Sequence, residues 1–112
     1  MPYEEREYNA LRCLISVPPG QAPKEGWPVL VFLHGAGEDA PLNLPKAMTR
    51  HGPLSPGANV LVTGRFLVIA PQLPAPGGNV WGERSQDVDA IAIAAATEFR
   101  GNQTQIFLTG FC

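Results

Sequence analysis

The chain has 112 residues, 45% of them apolar and 16% charged, with a formal net charge of −2. That length allows one small domain, and a pI of about 5.6 excludes a nucleic-acid face or a polybasic membrane surface built from bulk charge. Gly and Pro supply 12 residues each, which points to tight turns between short apolar elements.

The N-terminal stretch Met1-Pro2-Tyr3-Glu4-Glu5-Arg6-Glu7 is acidic and lacks the apolar centre of a secretory signal or transit peptide. The longest apolar runs reach about eight residues, against the roughly 20 that span a bilayer. No membrane partner is expected, and the location expected is cytoplasmic. Two cysteines, Cys13 and Cys112, provide neither a disulfide framework nor a four-thiolate zinc site, and reduced thiols fit a cytosolic chain.

The first apolar run, Leu11 to Val17, partly alternates and ends at Pro18-Pro19-Gly20, as a half-covered strand near a sheet edge should. Cys13 within it reads as a small buried hydrophobe. The second run, Val29-Leu30-Val31-Phe32-Leu33, is continuously apolar and leads into His34-Gly35, the pattern of a strand buried on both faces. Trp27 before it reads as packing. Residues 35–59 are broken by Gly and Pro, with a short helix expected near 46–50. The third run, Phe66 to Ala70, stops at Pro71 and reads as a buried parallel strand.

After a Pro/Gly-rich loop containing Trp81 comes the clearest helix, over 85–99. Ser85 suits an N-cap, Asp87 and Asp89 suit its first turn, and Val88, Ile91, Ala92, Ala95 and Phe99 form one apolar stripe. Gly101 stands where a left-handed C′ glycine would end the helix. The last run, 105–109, enters Gly110-Phe111-Cys112. Long crossovers between apolar strands predict an α/β fold, a mostly parallel sheet with helices on its faces.

Two segments can carry chemistry. His34-Gly35-Ala36-Gly37-Glu38-Asp39 is a glycine-rich turn after a buried strand, suited to phosphate binding or an oxyanion hole. The phosphate reading fails. Gly35, Gly37 and Ala40 fit the dinucleotide fingerprint, but prolines 41 and 45 break the helix it requires, and 55–75 holds no acidic residue for a ribose. No cofactor is expected. His34, His51, Glu38 and Asp39 have no ligand spacing, so no metal is expected either. The second segment, Gly110-Phe111-Cys112, matches the first half of a nucleophile elbow, G-x-S-x-G, with Cys in the Ser position.

These segments occur in order, with the strand 66–70 and the helix 85–99 between them. Together with Trp27 to Glu38, Arg50-His51-Gly52-Pro53 and Phe66 to Gln72, the sequence resembles the N-terminal half of an α/β hydrolase. It is similar to predicted peptidases and to phospholipase/carboxylesterase- and dienelactone hydrolase-like enzymes. In that family the oxyanion loop follows the third strand and the elbow the fifth. The resemblance implies that residues 1–112 are an incomplete α/β-hydrolase domain, truncated at the elbow. It further implies Cys112 at the nucleophile position and the Ala36 amide as an oxyanion donor, in a loop shaped by Gly35 and Gly37. The acid and the catalytic His would follow later in the chain. His34, which precedes the nucleophile, is expected to hold the loop by hydrogen bonds. Trp81 borders the pocket, lining a substrate site or capping the core.

The parent protein would hydrolyse an ester, lactone, thioester or peptide, and the chain alone would be inactive. The alternative is a truncated product or binding module that keeps the fold without the chemistry. The uncharged strand 105–109, left as an edge, is expected to invite self-association.

Overall fold

The computed structural model describes residues 3–35, 43–58, 60–74, 81 and 84–110. Five strands run β1 (Tyr3–Tyr8), β2 (Leu11–Ser16), β3 (Trp27–Leu33), β4 (Leu67–Pro71) and β5 (Gly101–Gly110). Helices α1 (Leu44–Met48) and α2 (Val60–Arg65), with a 3-10 turn at Gly52–Leu54 between them, connect β3 to β4, and α3 (Ser85–Phe99) connects β4 to β5. The strands form one sheet in the order β1-β2-β4-β3-β5.

The sheet is mixed, which corrects the mostly parallel expectation. β3 pairs in parallel with β4 and with β5, but β2 is antiparallel to both β1 and β4. The antiparallel half comes from a hairpin that the sequence reading did not contain. β1 and β2 are joined by Asn9 and Ala10, both at positive φ (51° and 64°), the combination a two-residue type I′ turn requires. β1 is therefore the sheet edge, and β2 is an interior strand whose residues are buried at all positions but Arg12.

Ala10 carries a Cβ into a backbone region that disfavours it. Ala10→Gly is expected to stabilise the fold by about 0.5–1 kcal/mol, the relief being partly offset by the freer unfolded chain. A raised urea midpoint with unchanged m-value is the check.

Alternate residues of the central strands serve opposite faces. Cys13, Ile15, Val29, Val31, Leu67 and Ile69 face α3 and meet Val88, Ile91, Ala92, Ala95 and Ala96. Leu14, Phe32, Val68 and Ala70 face the other way, against Leu44, Ala47, Met48 and Leu54. Each fully buried Leu, Ile or Val contributes about 1.5–3 kcal/mol relative to exposure. The buried face of α3 is the expected stripe extended to Ala96, with Phe99 only partly buried. Trp27 packs in the same cluster.

The span of α3 is the expected 85–99, but its caps fall one residue earlier than expected. Arg84 is the N-cap, and its guanidinium pairs with Asp87 at 3.3 Å. Arg100 takes the left-handed C-cap position at φ 64°. Gly101 instead begins β5, and its glycine has a packing reason. A Cβ there would lie 2.8 Å from Val29 Cγ2 and 2.9 Å from Ala96 Cβ, so the absence of a side chain lets α3 turn directly into the sheet.

The hairpin is clamped onto α3. Tyr8 Oη donates to Glu98, and Arg6 Nε reaches the same carboxylate at 2.7 Å while its guanidinium lies 5.1 Å from the Phe99 ring centre. The Tyr8 hydroxyl and then Arg6 hold the Glu98 carboxyl below its ordinary range. Asn9 adds a hydrogen bond to Asp87 at 3.3 Å.

Candidate functional site

The strand order locates the crevice. The chain passes from β3 to β4 on one side and then returns across β3 to β5 on the other. In open α/β sheets such a reversal leaves a crevice outside the C-terminal strand ends, where ligands bind. The neighbouring strands at this reversal, β3 and β5, pair in parallel register and set Leu33 opposite Gly110. Counting the hairpin, β3 is the third strand and β5 the fifth.

His34 leaves β3 buried, at 3% exposure, and ties three segments together. Its Nε2 accepts the Leu73 amide at 3.0 Å. An amide can only donate, so the ring proton sits on Nδ1, which donates to the Gly35 carbonyl at 2.8 Å. Its own carbonyl accepts the Trp81 indole N–H at 2.9 Å, and the two rings meet edge to face with centres 5.1 Å apart. Both ring nitrogens are thus engaged by backbone. This histidine is an anchor of the turn after β3, as the sequence suggested, and not a free base.

Gly35 follows it and is buried. The other proposed site positions, Ala36, Gly37 and Cys112, lie outside the described residues, as do Glu38 and Asp39. Trp81 is half-buried and borders a groove of about 420 Å³ that runs along β3, β5 and α3, lined by Val31, Leu33, Val88, Asp89 and Leu108 among others. The groove is apolar apart from Ser85 and Asp89 at the start of α3. Sequence reasoning did not find Leu73 as the partner of His34, since a backbone donor leaves no side-chain signature. A second concavity of about 410 Å³ includes Tyr3 and Pro53. Tyr3 pairs with Ser16, which in turn pairs with Val68 at the N-terminal end of β4, so its rim is at the other end of the sheet.

Among the described residues no three His, Cys, Asp or Glu side chains are grouped to hold a metal ion. No helix among them is long and apolar enough to cross a membrane.

Cys13 is a free thiol, fully buried, with Sγ 3.6 Å from the Leu11 carbonyl. Burial pushes its pKa up to about 12. The unfolded thiol titrates near about 8.5, so burial contributes fully below that pH and the contribution is lost as pH rises toward 12. Between pH 7 and about 10.5 the chain is expected to lose about 2.7 kcal/mol more stability than Cys13→Ala loses over the same range. Urea titrations at the two pH values measure the difference.

No protein-family model matches the chain, and no curated protein sequence matches it. Solved structures do. The crystal structure of DphMB1 superposes with a TM-score of 0.58 at 22% identity, over 97% of this chain and 34% of that one. Thermogutta terrifontis esterase 2 phosphorylated by paraoxon gives 0.62 at 14% identity, and the same esterase phosphoramylated by tabun gives 0.60 at 16%. Each esterase match covers 96% of this chain and 42% of the esterase. The chain therefore spans well under half the length of the proteins whose fold it shares, and that fold is α/β-hydrolase-like.

Proposed function

We propose that this chain provides the nucleophile and oxyanion side of a hydrolase that cleaves ester, lactone, thioester or peptide bonds by acyl transfer. The observation that carries the reading is the parallel pairing of β3 with β5, Leu33 opposite Gly110, at the reversal of strand order. The strands that lead into His34-Gly35-Ala36 and into Phe111-Cys112 end side by side. A nucleophile and an oxyanion donor must flank one carbonyl, and adjacent strand ends are the arrangement that lets them.

In this mechanism the Cys112 thiolate attacks the substrate carbonyl. The Ala36 amide, and the amide of the residue after Cys112, bind the oxyanion as it develops. Losing one such donor typically costs about 10²–10³ in kcat. The tetrahedral intermediate then collapses, expelling the alcohol, thiol or amine, which takes its proton from a histidine supplied later in the chain. Water releases the acyl group from the thioester by the same route in reverse. Gly35 and Gly37 leave room for the backbone to approach the carbonyl, and the His34 anchor holds the start of that turn. Trp81 and the groove beside it offer an apolar wall to the acyl portion of the substrate. Cysteine at the elbow favours dienelactone hydrolase-like chemistry over that of the serine esterases.

A base and an orienting acid are both needed to activate the thiol. The reading therefore treats residues 1–112 as part of a longer hydrolase and expects no turnover from them alone. The test is the reading frame beyond codon 112. The catalytic reading expects a glycine two positions after Cys112, then an Asp or Glu, then a late His. A frame that stops, or continues without them, overturns it in favour of a non-catalytic module with a hydrolase-like fold.

A further inference from the structure

The turn after β3 is held by two donors, one for each of its first two peptides. The His34 carbonyl accepts the Trp81 indole N–H at 2.9 Å, and the Gly35 carbonyl accepts Nδ1–H of the His34 ring at 2.8 Å. A trans peptide holds its N–H antiparallel to its carbonyl, so a donor that fixes the carbonyl also aims the amide. Gly35 stands between these two peptides, and a glycine leaves the planes on either side of it free to turn independently. Pinning one peptide therefore does not pin the next, and each needs its own donor. The second peptide carries the Ala36 N–H, the one the proposed mechanism gives to the oxyanion.

The imidazole that pins the second peptide is itself set by the first. His34 is 3% exposed and its Nε2 accepts the Leu73 amide at 3.0 Å. Trp81 both bonds its carbonyl and meets its ring edge to face, with centres 5.1 Å apart. A phenylalanine would supply the same edge-to-face contact; only the indole adds a donor.

We propose that Trp81 is a positioning residue. Through the His34 carbonyl, its indole N–H sets the direction in which the turn after β3 presents its amides to the reacting carbonyl. The catalytic consequence rests on the acyl-transfer reading; the order of the turn rests only on the two hydrogen bonds. The same ring borders the groove along β3 and α3, so a substrate seated against Trp81 lies on the residue that aligns the oxyanion donor. Removing the N–H while keeping the ring acts on the transition state, where charge develops on the substrate oxygen, and leaves ground-state binding nearly unchanged.

Two replacements separate the donor from the ring. Trp81→Phe keeps an aromatic edge, and benzothienylalanine at position 81 keeps the full bicyclic shape with sulfur in place of the N–H. In the chain together with the residues that follow codon 112, each should lower kcat for a p-nitrophenyl ester by about tenfold or more, with KM within about twofold. In residues 1–112 themselves, the benzothiophene should speed hydrogen exchange of the Leu73 amide by about fivefold or more, a signal that a ring acting only as packing would not move. A rise in KM at unchanged kcat overturns the proposal and leaves Trp81 as a substrate wall. Unchanged Leu73 exchange in the benzothiophene variant overturns it as well. Absence of turnover in the unsubstituted longer chain, or turnover indifferent to Cys112→Ala, overturns the acyl-transfer reading instead, and the exchange result then decides whether the indole holds the turn.

Discussion

His34→Ala should destabilise the fold by about 3 kcal/mol. The imidazole is the hydrogen-bond partner of two backbone groups, the Leu73 amide and the Gly35 carbonyl, in a region where His34 is 3% exposed and Leu73 is fully buried. Each buried group left unpaired costs about 1–3 kcal/mol, and the edge-to-face contact with Trp81 is lost as well. His34→Asn keeps one donor and one acceptor on a shorter side chain and should recover part of the loss. Urea unfolding of both variants measures it. A His34→Ala loss below about 1 kcal/mol would mean that the turn after β3 is held by something other than this ring. The same substitution should also lower turnover in any longer chain that is active, because it frees the start of the proposed oxyanion loop.

Gly52→Ala should be comparably severe. Gly52 begins the 3-10 turn at φ +83°, where a Cβ would lie 2.4 Å from Phe32 Cε1 and 2.5 Å from Cζ. Phe32 is 1% exposed and packed among Leu14, Met48 and Leu54, so its ring has no free volume to enter. Overpacking of this kind costs about 1–3 kcal/mol, and the left-handed backbone adds roughly 1–2. Together they approach the lower end of a small domain's total stability. Thermal unfolding monitored by circular dichroism should show a melting temperature lowered by more than about 10 °C. A shift of only a few degrees would show that the turn can move away from the ring.

The elements that could be read from sequence are those whose burial writes a pattern into the chain. β3 and β4 are continuous apolar runs because helices cover both their faces. α3 has a clear stripe because only one side of it meets the sheet. β1 escaped because an outer strand of Glu and Arg has no apolar signature, and its turn, Asn9-Ala10, lacks the glycine that marks a type I′ hairpin. Missing β1 also made β2 look like an edge and hid the antiparallel half of the sheet. α2 escaped because Val60-Leu61-Val62-Thr63 is rich in β-branched residues; its short connection between the 3-10 turn and β4 overrides that preference. Gly101 was misread because a helix-ending glycine and a packing glycine look alike until Val29 and Ala96 are in place around it.

At the candidate site, the histidine's anchoring role was legible because it sits between a buried strand and a glycine-rich turn. Its partners were not, since Leu73 contributes a backbone amide and Trp81 reaches back 47 residues to the His34 carbonyl. The side-by-side exit of β3 and β5 is a property of strand order, which no local pattern encodes. Only the ordered resemblance of the two motifs pointed toward it.

In the proposed mechanism the strand ends of β3 and β5 flank one reacting carbonyl and Cys112 is the attacking group. The direct measurement is hydrolysis of a p-nitrophenyl ester by the chain together with the residues that follow codon 112, compared with its Cys112→Ala variant. Under this mechanism turnover should fall by about 10³-fold or more on loss of the thiol. Turnover that survives Cys112→Ala within about tenfold would contradict it, placing the chemistry elsewhere in the fold.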